Sequence, residues 1–208
     1  EPVEVIEFEG AALRGVLRSD CRLASVVYPR LLQAVARRLV GTREQLLDIE
    51  ARAIEGLAVH IDEHFLAAHQ LMLKCRGRIV VSGMGKSGLI GQKISATLAS
   101  IGTPSLYLHP ADAIHGDLGR IVKDDALVAV SHSGGTEEIL ALVPWLKRLG
   151  VPLLALTGNP RSTLAEAATV WLDIGVREEA CPLNLAPTAS TTAALAMGDA
   201  LCMTLLVE

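Results

Sequence analysis

Residues 79–88 read Ile79-Val80-Val81-Ser82-Gly83-Met84-Gly85-Lys86-Ser87-Gly88, a short apolar run that ends in a glycine-rich turn. A helical pattern follows directly, to about Ser100. The same cadence recurs four times downstream. Ser105 to Leu108 leads into a polar loop, and Ala126 to Val130 leads into Ser131-His132-Ser133-Gly134-Gly135-Thr136-Glu137-Glu138 and a helix to Leu149. Pro152 to Leu156 precedes a short helix from Ser162, and Val170 to Ile174 precedes Glu178-Glu179-Ala180-Cys181-Pro182 and a last helix opened by Pro187-Thr188. Strands that are apolar throughout and alternate with helices belong to a parallel sheet covered on both faces. The expectation is an α/β domain, a doubly wound five-stranded parallel sheet in three layers. Ligands of such a sheet bind outside the carboxyl ends of its strands, at the switch point.

Upstream of residue 79 the pattern is helical. A short strand is expected over 1–8, then helices over 13–40 broken near Pro29. Gly41-Thr42 interrupts them, with Thr42 and Gln45 in capping-box form, and marks a domain boundary: an N-terminal extension over 1–42 and the α/β domain over 43–208. A long helix is expected from there to Leu73, closed by Gly77.

Composition narrows the function. The 208 residues carry 19 Lys and Arg against 23 Asp and Glu, a net charge of −4, and aromatics make up only 3 %. A nucleic-acid binder needs a basic footprint and stacking rings, so that class is set aside. Cys21, Cys75, Cys181 and Cys202 show no CxxC spacing, which fits reduced thiols. With no long uninterrupted apolar run and no signal-peptide pattern, a cytoplasmic protein without a membrane partner is expected. The chain starts at Glu1 without Met and stops at Glu208 within an apolar helical stretch, as a fragment would.

Three motifs share the carboxyl-end face. The first matches GxGxxG between strand and helix, yet the acidic residue that a dinucleotide fingerprint requires after the second strand is replaced by His109-Pro110. A P-loop would need Gly where Val80 stands. Lys86 beside a helix N-terminus is poorly placed for stability and suits an anion there. In the second motif Ser131, Ser133 and Thr136, with the N–H groups of the following helix, suit a phosphate monoester. The third joins Glu179 to a cluster of hydroxyls; Cys181 within it lacks the histidine of a recognised nucleophile signature. His109, His115, Asp112 and Asp117 are metal-ligand types at spacings that match no standard site, so no metal and no cofactor are expected.

Taken together, Gly-Met-Gly-Lys-Ser-Gly, His109-Pro110 with His115-Gly116-Asp117-Leu118-Gly119, Ser-x-Ser-Gly-x-x-x-Glu and Glu-Ala-Cys-Pro-x-x-Leu-Ala-Pro-Thr-x-Ser-Thr-Thr resemble the sugar isomerase (SIS) domain of bacterial D-arabinose 5-phosphate isomerases. The resemblance covers about residues 45 to 208. It implies a flavodoxin-like sheet, a homo-oligomer built as a dimer of dimers, and interconversion of D-ribulose 5-phosphate and D-arabinose 5-phosphate for Kdo and lipopolysaccharide synthesis. It places Lys86, Glu138 and Glu179 on catalytic positions, and Gly85, Ser87, Ser131, Ser133, Thr136 and His115 on substrate- or phosphate-binding ones. The family's His-Pro-Gly-Gly segment and its CBS pair would lie beyond Glu208. Residues 1–42 depart from the family and resemble the tail of a cyclic-nucleotide-binding domain. The alternative is a phosphosugar-binding SIS module of a regulator, but such modules follow a basic helix-turn-helix that this N-terminus lacks.

Overall fold

The computed structural model describes residues 9–206 apart from Pro182, so the strand expected over 1–8 lies outside the described residues. The chain divides into two compact units, residues 1–45 and 46–208.

Helix α1 (Gly10–Ser19) is followed at once by α2 (Cys21–Gly56), which starts in the first unit and ends in the second. The break falls at Asp20 rather than near Pro29, because the Asp20 carboxylate accepts from the N–H groups of Arg22 and Leu23 at 2.9 Å each and caps the new helix. Pro29 lies inside α2, where it deletes one hydrogen bond of a 36-residue ladder. The helix also continues through Gly41 and Thr42 instead of restarting there. One glycine costs a helix about 1 kcal/mol, too little to end it.

In the second unit, the long helix expected up to Leu73 is two. After α2 comes a 3-10 turn at Leu57–His60, and α3 (Glu63–Leu73) starts afresh at Asp62. The Asp62 carboxylate accepts from His64 N–H at 2.8 Å and Phe65 N–H at 3.3 Å.

The sheet then forms as expected. Strands β1 (Ile79–Gly83), β2 (Ser105–Tyr107), β3 (Ala126–Val130), β4 (Leu153–Thr157) and β5 (Val170–Asp173) are all parallel, in the order β2-β1-β3-β4-β5. Between them lie α4 (Gly85–Ser100), α5 (Pro110–Ile114), a 3-10 turn at Asp117–Arg120, α6 (Glu137–Leu140), α7 (Val143–Leu149) and α8 (Thr163–Ala167). The single helix expected up to Leu149 divides into α6 and α7, since Pro144 has no N–H to continue the ladder and sits in the first turn of α7. Helix α9 (Ala189–Leu206) closes the domain.

Alternate strand residues feed two cores, as the pleat requires. On one face Ile79, Val81, Val128, Val130, Leu154 and Leu156 meet Phe65 and Met72 of α3, Ile94 and Leu98 of α4, and Met197 and Leu201 of α9. On the other, Val80, Leu127, Ala129, Leu153 and Ala155 meet Ala113, Ile139, Leu146 and Leu164 of α5 to α8. Right-handed crossovers explain the split: β1 to β2 runs one way along the sheet, while β3 to β5 runs the other. By length and composition α9 could cross a membrane, but its Ala193, Ala194, Met197, Leu201 and Cys202 are buried in the first core.

Candidate active site

The chain reverses direction between β1 and β3, which makes that pair the switch point. Their register pairs Gly83 with Val130, so the turn 84–87 and the loop 131–136 leave neighbouring strand ends.

The glycines of the first turn have separate jobs. A Cβ on Gly83 would come within 2.9 Å of Ser87 O, and one on Gly88 within 2.6 Å of the Tyr107 hydroxyl and 2.7 Å of Gly83 O. Both let the first turn of α4 close on β1, where Tyr107 OH donates to Gly83 O at 2.6 Å. Gly85 has φ +56 and turns the chain. Met84 offers no side-chain cap, so Lys86, exposed on the first turn, stands beside open helix N–H groups. Ser87 is half-buried behind it.

The second loop is braced from inside. Ser131, only 3 % exposed, bonds Thr136 Oγ1 through its hydroxyl at 2.8 Å and accepts Gly134 N–H at 3.2 Å. Thr136 therefore points into the loop and does not cap α6. Gly134 has φ +65 and packs against α8: a Cβ there would lie 2.0 Å from Ser162 Oγ, and its carbonyl accepts Leu164 N–H at 3.1 Å. Ser133 is exposed and accepts Gly135 N–H at 3.3 Å. Glu138 is half-buried on the first turn of α6, beside the more exposed Glu137.

The third segment folds around a carboxylate. Glu179 Oε2 accepts from Thr188 N–H at 2.7 Å, Thr188 OH at 3.1 Å and Ser190 N–H at 3.2 Å. Burial pushes this carboxyl up, but hydrogen bonds from Ser190 and Thr188 outweigh it and hold the group below the usual carboxylate range. Asn184, at φ 51, accepts Glu179 N–H at 3.0 Å through its side chain. Backbone N–H groups of Ala186, Leu185 and Leu183 make the neighbouring Cys181 thiol more acidic than usual.

This geometry is one glycine- and hydroxyl-rich loop, one lysine and two carboxylates distributed over the carboxyl ends of β1, β3 and β5. A model of the SIS domain matches residues 72–204. The chain belongs to the SIS domain family. It is 53 % identical over 167 residues to the arabinose 5-phosphate isomerase KdsD of Pseudomonas aeruginosa, which covers 80 % of this chain and 51 % of the relative. KdsD of Escherichia coli K12 is 52 % identical over 163 residues, 78 % of this chain and 50 % of that protein. The chain thus spans about half the length of the curated relatives it matches. Among solved structures, E. coli CFT073 c3406 in complex with arabinose 5-phosphate superposes with a TM-score of 0.79 at 38 % identity, covering 82 % of this chain and 91 % of that one.

Within the SIS domain, the turn with Gly85, Lys86 and Ser87 adjoins the loop with Ser131, Ser133, Thr136 and Glu138 by strand register. Glu179 follows the edge strand β5, two strands from β3. His115 lies after α5, exposed and followed by Gly116 at φ +145. His109 precedes α5, and its buried Nδ1 has no hydrogen-bond partner among the described residues. Among the described residues no three His, Cys, Asp or Glu side chains gather as a metal site would require. Sequence reasoning passed over Asn184 and Tyr107. Asn184 carried a detectable signal, since asparagine tolerates φ > 0 better than most residues.

Proposed function

We propose that this chain is the catalytic module of an aldose–ketose isomerase that interconverts D-ribulose 5-phosphate and D-arabinose 5-phosphate. The observation that carries this reading is the 53 % identity to KdsD over 80 % of the chain. Residues 43–208 form the module, and residues 1–42 are an extension similar to the tail of a cyclic-nucleotide-binding domain. The product would feed Kdo and lipopolysaccharide synthesis in the cytoplasm, from a homo-oligomer arranged as a dimer of dimers.

The reaction moves a proton between C1 and C2 through an enediolate, which calls for a base, a stabiliser of the developing oxyanion and a grip on the phosphate. Ser133, Thr136 and the backbone of residues 131–136, braced by Ser131, hold the phosphate, with Gly85, Ser87 and His115 completing the substrate contacts. Lys86 stabilises the oxyanion. Glu138 and Glu179 are the carboxylates available for proton transfer. Proton transfer of this kind requires neither metal nor cofactor. A high identity to isomerases favours catalysis over a sensor module. The test is turnover of arabinose 5-phosphate by the full-length protein. Glu138→Gln and Glu179→Gln are each expected to lower kcat about 10²-fold or more, and wild-type turnover in both would refute the assignment.

A further inference from the structure

We infer that Thr188 is the positioning residue of Glu179: it pins one carboxylate oxygen through two donors and leaves the other oxygen to receive the substrate's proton. This rests on the isomerase reading above.

The hydrogen-bond directions at Thr188 are fixed. Its Oγ1 accepts Ala180 N–H at 2.8 Å, so its own proton points to Glu179 Oε2 at 3.1 Å, while its backbone N–H reaches the same oxygen at 2.7 Å. Ser190 N–H adds a third donor at 3.2 Å. An oxygen facing three donors has no direction left for a proton, because a protonated Oε2 would oppose N–H and O–H groups. The Ser190 hydroxyl also bonds the carboxylate, but a hydroxyl can turn to accept where the N–H groups on Oε2 cannot, so any proton the group takes up settles on Oε1. Ala180 directly follows Glu179, and Asn184 holds Glu179 N–H, so the clamp closes on the backbone as well as on the side chain. The charged groups nearest in the chain are Arg177 and Glu178, both exposed, and Glu50 of α2 reaches Thr192 Oγ1 at 3.5 Å. None of them supplies the donors on Oε2. A reacting group displaced by about 1 Å loses on the order of 10²-fold in rate, so a clamp of this kind belongs to the chemistry rather than to binding.

The experiment measures kcat, KM and the pH dependence of kcat/KM for arabinose 5-phosphate on the full-length protein with Thr188→Val, Thr188→Ser and Glu179→Gln. Thr188→Val is expected to lower kcat about tenfold to a hundredfold, to leave KM within about threefold, and to move the acid limb of kcat/KM to higher pH. Thr188→Ser, which keeps the hydroxyl, is expected to restore both kcat and the acid limb. If the valine variant does not fold, Thr188→Ala carries the same test. Three outcomes overturn the proposal: wild-type kcat in the hydroxyl-less variant while Glu179→Gln is inactive, an unmoved acid limb, or failure of serine to rescue. Wild-type turnover in Glu179→Gln would instead remove the role of Glu179 on which the proposal stands.

Discussion

Gly198 of α9 lies directly on Ile94 of α4: a Cβ at position 198 would come within 2.4 Å of Ile94 Cδ1 and 2.6 Å of its Cγ1. Ile94 is buried in the core between the sheet and the two helices, so it has little room to retreat. Gly198→Ala is expected to destabilise the domain by about 1–2 kcal/mol, overpacking offset in part by helix propensity. Thermal unfolding of Gly198→Ala, Ile94→Ala and the double variant checks this. The double variant should lose less than the sum of the two singles.

Gly134→Ala should unmake the loop proposed to hold the phosphate. The left-handed φ and the 2.0 Å approach to Ser162 Oγ both exclude a Cβ. The backbone strain alone costs about 1–3 kcal/mol. Calorimetric titration with arabinose 5-phosphate is expected to show binding weakened at least tenfold, about 1.4 kcal/mol. The neighbouring Gly135→Ala, where no atom lies within 4 Å of the added Cβ, should bind far more nearly as wild type.

At the opposite end of the strands Asp125, 2 % exposed, accepts Arg78 N–H at 2.8 Å and Val122 N–H at 2.9 Å, with the Arg78 guanidinium at 3.5 Å. Asp125→Ala strands two backbone donors at the entrance to β1 and β3. A loss of about 2–4 kcal/mol is expected, read as a lower urea midpoint. KM should not change, since these groups lie away from the carboxyl ends of the strands.

The Glu179 carboxyl titrates below its ordinary value of 4.5 in the folded protein. The unfolded chain therefore binds more protons near that pH, and the group stabilises the fold above about pH 4.5, a contribution lost as pH falls through the lower folded value. Urea midpoints of wild type and Glu179→Gln measured across acid pH should differ most above pH 4.5 and converge below it. A constant difference would show that the hydrogen bonds do not depend on the charge.

The four cysteines are free and should alkylate in a set order. Backbone N–H groups make Cys181 more acidic than an ordinary thiol, whereas burial, with Asp199 nearby, pushes Cys202 up to about 11. Iodoacetamide at mildly alkaline pH, followed by peptide mass spectrometry, should label Cys181 first and Cys202 last in the native protein.

How much of this was visible in the residues depends on whether a feature is local. Residues 126–130 are apolar at every position because both faces of β3 are covered, and that run alone specifies the strand. Gly85 and Gly134 announce turns at strand ends for the same reason, since a left-handed φ is a property of one residue. Helix ends were harder to place. Asp20, Asp62 and Pro144 were all available as boundary signals, but Pro29 and Gly41-Thr42 carry similar ones, and only the surrounding contacts decide which of them ends a helix. For Glu179 the neighbouring cluster of hydroxyls was legible, but the clamp that one of them forms was not. Thr188 stands nine residues away, and its two roles arise only when the segment from Asn184 onward turns back on the carboxylate.

The contact of Gly134 with Ser162 and Leu164 bears on protein engineering. The loop after β3 rests on the segment after β4, where Thr157 OH also donates to His132 O at 3.3 Å. Residues 131–136 and 157–164 are therefore one exchangeable part. A graft that imports the first stretch from a relative with a different sugar preference, while leaving the second behind, would set a new loop on a foundation cut for the old one.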